Sequence, residues 1–171
     1  MVEIGIGSAI AFVGVALSVF LAGCGSAIGL GTAASASAGV LADKPERYTT
    51  NLLLVALPST QGIYGLVGAL LIMFNMGAFA GKILPLSIWD GITLFAACMA
   101  MGVAGLVSGI HQGRVCAAGI LMAAKRQDMA VKAGVMYAVM VELYALFGLV
   151  IQILIYLKGV NWEALKATAG V

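Results

Sequence analysis

The chain has few charged residues and few of the residues that enzymes use for chemistry. Of its 171 residues only 9% are charged, and there are one histidine, three cysteines and three prolines. With 63% hydrophobic residues and a mean hydropathy of +1.11, the chain has too little polar surface to cover a soluble globule. The sequence therefore predicts an integral membrane protein.

These shortages exclude several classes of function. The net charge of +2 is small and the basic residues are scattered, which leaves no surface for nucleic acid. Cys24, Cys98 and Cys116 lie in apolar stretches without the spacing of metal ligands, so we expect them to pack as small apolar residues. With no nucleophile and base in a plausible pair, the chain is predicted to be non-enzymatic and to need no organic cofactor.

The apolar N-terminal stretch contains a sequence, Leu21 to Cys24, that looks like the cleavage box of a bacterial lipoprotein. A signal peptide begins with positive charge, whereas no lysine or arginine precedes Lys44. We therefore predict that this stretch is a retained helix.

Four long apolar segments follow one another, separated by three polar breaks, and a short polar tail comes after the last. A membrane-spanning helix needs about 20 apolar residues, and each segment is longer than that. They run approximately from Ile4 to Ala42, Tyr48 to Ala80, Trp89 to Ala124 and Met129 to Leu157. The predicted fold class is an all-α membrane protein with four transmembrane helices.

The basic residues predict how the chain is oriented, because cytoplasmic loops carry an excess of lysine and arginine. Five lie in or near the first and third breaks, namely Lys44, Arg47, Lys125, Arg126 and Lys132. Three lie on the opposite side, namely Lys82, Lys158 and Lys166. We expect a multi-pass protein of the cell membrane with its charged loops in the cytoplasm and both termini outside.

The two halves of the chain repeat. Ser26–Gly31 aligns with Ser108–Gly113 at an offset of 82 residues, and Tyr64–Val67 aligns with Phe147–Val150 at an offset of 83. The repeated unit is a helical hairpin, so we expect a first hairpin over residues 1–83 and a second over 84–171. Glycine is concentrated in the first and third segments, which predicts close packing between those two helices.

Glu142 is the residue that the apolar composition does not explain. It lies in the run Ala133 to Leu157, which has no basic residue to pair with it. A charged group at that depth costs roughly 2.5 to 3.5 kcal/mol on insertion scales. Two further polar residues share its level, because Gln61, Gln112 and Glu142 each lie 13 or 14 residues from the nearest charged break.

The second segment adds oxygen atoms at the same level. Helical periodicity places Leu57, Thr60, Gln61 and Tyr64 on one face, and Pro58 frees backbone carbonyls in the turn before it. Carbonyl, hydroxyl and amide oxygens around a single carboxylate suit a small, hard, monovalent cation. We therefore expect a membrane-embedded cation site whose carboxylate lies in the second hairpin.

Other interpretations stay open from these residues alone. The two glutamines are equally compatible with plain hydrogen bonding between helices, and Thr60 with a bond to its own backbone. A four-helix cation-coupled antiporter would explain Glu142 but not the duplication. A structural four-helix protein would leave the buried charge unexplained.

Three stretches resemble the rotor proteolipid, the K or c subunit, of V-type and A-type ATPases: Leu57–Gly65, Gln112–Arg114 and Met140–Tyr144. The resemblance implies a ring of identical subunits with the first and third helices inside. It implies that the ring turns against a membrane stator with an essential arginine and binds central-stalk subunits on its cytoplasmic side, with lipid around it. ATP would be hydrolysed on a soluble head, outside this chain.

The resemblance also implies which ion is carried. Sodium-coupled members hold Na⁺ on positions that match the Leu57 carbonyl, Thr60, Gln61, Gln112 and Glu142, with Tyr64 bonded to the carboxylate. All six are present, which favours sodium and leaves proton coupling as the alternative. His111 and Arg114 fall outside this set, and we expect them to face the interior of the ring or, for His111, an interface.

Overall fold

The computed structural model describes residues 5–169, the side chains at positions 127, 130 and 131 excepted, so Ile4 lies outside it. The helices are α1 (Ile6–Asp43), α2 (Tyr48–Ala56), α3 (Thr60–Asn75), α4 (Ile88–Lys125), α5 (Gln127–Met129), α6 (Met136–Lys158) and α7 (Trp162–Ala169). Within the described range, four stretches are long and apolar enough to cross a membrane: Ile6–Asp43, Pro45–Asn75, Ile88–Lys125 and Lys132–Lys158. The predicted four-helix membrane fold is confirmed.

The second span consists of two helices joined at Pro58. A 3-10 turn over Leu57–Ser59 separates α2 from α3, and Pro58 is buried in it. Proline has no amide hydrogen, so the helical bond to the carbonyl of Leu54 cannot form and the turn tightens. The backbone N–H of Thr60 bonds to the Leu57 carbonyl instead. The expected break in the helix therefore lies where the sequence places it.

The first and third spans touch through their backbones, as the glycine distribution predicts. A methyl group on Gly113 would lie 2.2 Å from the Cα of Gly29, and one on Gly109 would lie 2.6 Å from the carbonyl carbon of Gly25. In lipid no hydrophobic force draws helices together, so close van der Waals packing between small residues takes its place. These contacts hold α1 against α4 along most of their length.

The second span ends earlier than its apolar run. Helix α3 stops at Asn75, whereas the sequence predicted a segment reaching about Ala80. Gly77 and Gly81 have φ angles of 75° and 69°, in the left-handed region where only glycine is unstrained, and they bracket a 3-10 turn at Ala78–Ala80. The composition stays apolar here, but the glycines end the helix.

The C-terminal polar tail forms a helix, α7, that the sequence analysis missed. The ring of Trp162 packs 5.6 Å from that of Tyr156, and its Nε1 donates a hydrogen bond to the Tyr156 carbonyl at 2.8 Å. Lys166 donates to Asn75 Oδ1 at 3.1 Å. Tertiary contacts with the ends of the second and fourth spans thus order a segment that the sequence marked only as a short polar tail.

The glycine contact generates a testable expectation. Gly113→Ala should lower the melting temperature, because the added methyl group meets the backbone of α1 and the two helices must separate. Gly39→Ala is the matched control, since a Cβ at Gly39 meets nothing within 4 Å. The measurement is the thermal loss of helical circular dichroism in detergent. Equal melting of both variants would contradict the packing described here.

Candidate ion-binding site

Glu142 lies on α6 with its carboxylate held between two donors from neighbouring spans. The Tyr64 hydroxyl donates to Oε1 at 2.6 Å, and Gln112 Nε2 lies 3.4 Å from Oε2. Tyr64 comes from α3 and Gln112 from α4, so three spans meet at this carboxylate. The structure thus brings Glu142, Tyr64 and Gln112 together.

The two glutamines form the inner wall of the site. Gln61 and Gln112 are both fully buried, and Gln61 Nε2 donates to Gln112 Oε1 at 2.6 Å. Gln112 Nε2 also donates to the carbonyl of Ala138, one turn before Glu142, at 3.0 Å. Both amides are thereby fixed in orientation. Buried amides in this setting are costly unless their hydrogen bonds are made, so the pair is a rigid feature.

The break in the second span supplies the remaining predicted oxygens. The Thr60 hydroxyl donates to the Leu57 carbonyl at 3.1 Å. Because that bond uses the hydroxyl hydrogen, the lone pairs of Thr60 Oγ1 stay available as acceptors. Leu57 and Thr60 adjoin Gln61 on the same turn of the chain. These residues present oxygen atoms without adding charge.

Two acceptors in this cluster are without a cationic partner. Gln61 Oε1 is buried and has no hydrogen-bond partner among the described residues. Among the described residues, ion pairs join Arg47 to Glu46 and Arg126 to Asp128. Neither pair involves Glu142. An orphaned buried oxygen and an unpaired carboxylate in an apolar layer are both stabilised by a cation.

The other candidate residues lie apart from this cluster. His111 is exposed on α4 although it precedes Gln112, and Arg114 is exposed one turn further on. Their expected placement in a ring stays a prediction. Cys98 and Cys116 are buried and unpaired, and Cys24 is partly buried, which agrees with their predicted role in packing.

Two contributors to the site were missed from the sequence. The Ser26 hydroxyl on α1 accepts a hydrogen bond from the backbone N–H of Gly62 at 2.8 Å and so anchors the turn that carries Gln61. The Ala138 carbonyl orients Gln112. Ser26 lies in the repeated segment, which was a usable signal, whereas nothing in the sequence marks a backbone carbonyl of an alanine.

Comparison with known proteins places this geometry in a family. The family model for the ATP synthase C subunit matches the chain twice, over residues 13–72 and again over 95–155. The chain belongs to the ATP synthase C-subunit family. The double match agrees with the duplicated hairpin predicted from the repeat.

Curated relatives cover most of the chain. It is 39% identical over 152 residues to the V-type sodium ATPase subunit K of Enterococcus hirae, covering 89% of this chain and 93% of that protein. It is 40% identical over 143 residues to the A-type ATP synthase subunit K of Methanocaldococcus jannaschii, covering 84% and 60%. It is 29% identical over 148 residues to a V-type proton ATPase subunit of Candida glabrata, covering 86% and 87%.

Family membership decides between the interpretations that the residues left open. The protein is a rotor proteolipid of a V- or A-type ATPase, a non-catalytic, multi-pass membrane subunit through which ions cross. The antiporter and the structural four-helix protein are thereby excluded. The residues that hold the ion are not identified by the family alone.

The contact between Tyr64 and Glu142 gives a prediction about reactivity. Tyr64→Phe removes the hydroxyl that donates to Glu142 Oε1, a hydrogen bond to a charged group worth about 1.5 kcal/mol or more, and so leaves that oxygen open to a carbodiimide. Modification of Glu142 should become about ten-fold faster. Tyr137→Phe, at an exposed position on α6, is the control and should leave the rate unchanged. Equal rates in both variants would refute the assigned hydrogen bond.

Proposed function

We propose that Glu142 binds one sodium ion in each copy of the chain. Its neutral ligands are the Leu57 carbonyl, Thr60 Oγ1, Gln61 Oε1 and Gln112 Oε1, and Tyr64 steadies the carboxylate. The observation that carries the proposal is Gln61 Oε1, a buried acceptor without a partner among the described residues. Gln61 bonds to Gln112, and Gln112 in turn bonds to the Glu142 carboxylate. An alkali ion satisfies Gln61 Oε1 and the carboxylate at once.

The donor set favours a monovalent hard cation. It has one negative charge and otherwise only carbonyl, hydroxyl and amide oxygens, which prefer hard ions to soft ones. A divalent ion would leave an uncompensated positive charge in the apolar layer. No cluster of three histidine, cysteine or acidic side chains occurs in residues 5–169, so nothing there suits a transition metal. The similarity to a subunit K of a sodium ATPase supports sodium over protons.

The proposed site explains how a ring turns inside a membrane. A carboxylate paired with Na⁺ is close to neutral and passes through lipid, whereas the bare carboxylate carries a large penalty. Only loaded sites therefore face lipid. At the stator, an arginine of that subunit displaces the ion and pairs with Glu142, while aqueous half-channels load and unload neighbouring sites. ATP hydrolysis on the soluble head drives the rotation.

We also propose how the hairpins, loops and termini are arranged in the assembled ring. Hairpins 1–83 and 84–171 share the single carboxylate, and identical copies surround the axis with the first and third spans inside. The loops that hold Lys44 and Arg47, and Lys125 and Arg126, face the cytoplasm and the central stalk. Both termini lie on the outer side.

Sodium-22 binding to the purified ring tests the ligand set. Thr60→Val and Gln61→Leu each remove one neutral oxygen, and we expect each to weaken sodium binding about ten-fold or more. Thr49→Val, at an exposed position at the start of the same span, is the control. Sodium binding that survives both site changes at full affinity would rule out this ligand set.

The carboxylate makes a separate prediction. Glu142→Gln keeps the shape of the side chain but removes its charge, so sodium binding should be lost while the ring still assembles. In the unmodified ring, sodium affinity should fall as the pH is lowered, because protons compete for the same carboxylate. Retained sodium binding in Glu142→Gln would disprove carboxylate-based coupling. A ring that takes up protons and no sodium at working pH would establish the proton alternative.

A further inference from the structure

Helix α3 begins in the middle of the second span, at Thr60, directly after the 3-10 turn that contains Pro58. The first N–H groups of a helix have no carbonyl one turn earlier to bond to, and a serine at the N-cap ordinarily accepts from the N–H three residues later. In α3 these two positions are Ser59 and Gly62. Inside an apolar layer no water replaces a missing bond, so this N–H needs an acceptor from the protein.

Ser59 does not supply that acceptor. Its hydroxyl donates backward to the Ala56 carbonyl at 2.6 Å, and its side chain caps no N–H of α3. The acceptor comes from the first span, because the backbone N–H of Gly62 donates to Ser26 Oγ at 2.8 Å. Ser26 is buried on α1. It therefore does for α3 what an N-cap residue ordinarily does, from a different helix.

Helix α1 and the start of α3 fit closely on both sides of this bond. A methyl group on Gly62 would lie 3.3 Å from Ser26 Oγ, and one on Gly29 would lie 3.0 Å from Pro58 Cβ. Ser26 and Gly29 are three residues apart, so they lie on the same face of α1. That face touches the second span twice, at Pro58 just before α3 begins and at Gly62 just after.

The second hairpin keeps the serine but does not use it in this way. Ser108 is the counterpart of Ser26 at the offset of 82, and it is buried as well. Its hydroxyl contacts the Gly105 carbonyl of its own helix at 3.4 Å. Val141 is the counterpart of Pro58 at the offset of 83, and α6 continues unbroken through it. The bond from Ser26 therefore accompanies the break at Pro58 and is not a general feature of the repeat.

The turn that Ser26 holds carries three of the proposed ion ligands. Leu57 lies in the 3-10 turn, and Thr60 and Gln61 are the first two residues of α3. Gln61 is the residue directly before Gly62, so the bond from Ser26 acts on the backbone next to a ligand. The position of this turn decides where the three neutral oxygens lie.

Helix α1 in turn is fixed against α4, which carries Gln112. A methyl group on Gly25 would lie 2.5 Å from the Gly105 carbonyl oxygen, and one on Gly29 would lie 2.2 Å from the Gly109 carbonyl oxygen. Ser26 lies between these two backbone contacts. Its hydrogen bond thus ties the ligands of the second span to the two helices that are packed most closely together.

We propose that Ser26 is a positioning residue that sets the spacing of the neutral oxygens, and thereby which alkali ion is preferred. Its role depends on the sodium site proposed above. Ser26 supplies no ligand and acts through the backbone of Gly62. Oxygens held at fixed distances favour the ion of matching radius, whereas oxygens that can shift also accommodate ions of other sizes.

Competition between sodium-22 and lithium on the purified ring tests this role. Ser26→Ala removes the acceptor and leaves every proposed ligand in place. We expect sodium binding to weaken about five-fold, as for the loss of one N-cap bond. Lithium binding should weaken less, because a loosened turn can close on the smaller ion. The ratio of the lithium to the sodium dissociation constant should therefore move toward one.

Ser108→Ala is the matched control, since it removes a buried hydroxyl at the same position of the repeat, one turn from Gln112. It should leave both dissociation constants unchanged, and helical circular dichroism should be the same in both variants. If Ser26→Ala leaves the ratio unchanged, or if Ser108→Ala shifts it equally, Ser26 does not position the ligands although the sodium site stands. An unmodified ring that binds no sodium would instead overturn the proposed function, and the role of Ser26 with it.

Discussion

A single negative charge inside an apolar layer is the constraint that the rest of the structure serves. The Glu142 carboxylate is held by Tyr64 and Gln112, and no ion pair among the described residues neutralises it. The neighbouring amide of Gln61 leaves an oxygen free. Bringing donors from two spans to the carboxylate of a third requires helices that approach closely, and the glycine contacts between α1 and α4 permit that approach.

The two hairpins share one helical scaffold but carry different side chains at the positions related by the repeat. Where the two hairpins of a chain meet, glutamine, threonine and glutamate line the junction. At the positions related by the repeat, tyrosine, leucine and serine stand instead. Close packing of helices needs only small residues at the same spacing, so it tolerates these differences in side chains. Binding an ion needs particular oxygen atoms, so it does not tolerate them. Under the proposed function, both hairpins keep the helical scaffold and only the second supplies the carboxylate that binds the ion.

The sequence predicted which polar side chains meet inside the membrane spans better than it predicted the ends of the fold. Gln61, Gln112 and Glu142 were placed at one level because membrane spans are regular helices in which residue number gives depth. Helix α7 was missed because its order comes from Trp162 stacking on Tyr156, a tertiary contact without a periodic signal. The roles of Ser26 and the Ala138 carbonyl likewise depend on how helices meet.

A high-resolution map of the ring prepared in saturating sodium would test the central claim most directly. We expect density for one ion per chain, in contact with a Glu142 carboxylate oxygen and with Gln61 Oε1, and we expect it to disappear when sodium is replaced by a large organic cation. A map in which Gln61 Oε1 is instead hydrogen-bonded to water, with Glu142 protonated and no ion beside it, would contradict the account.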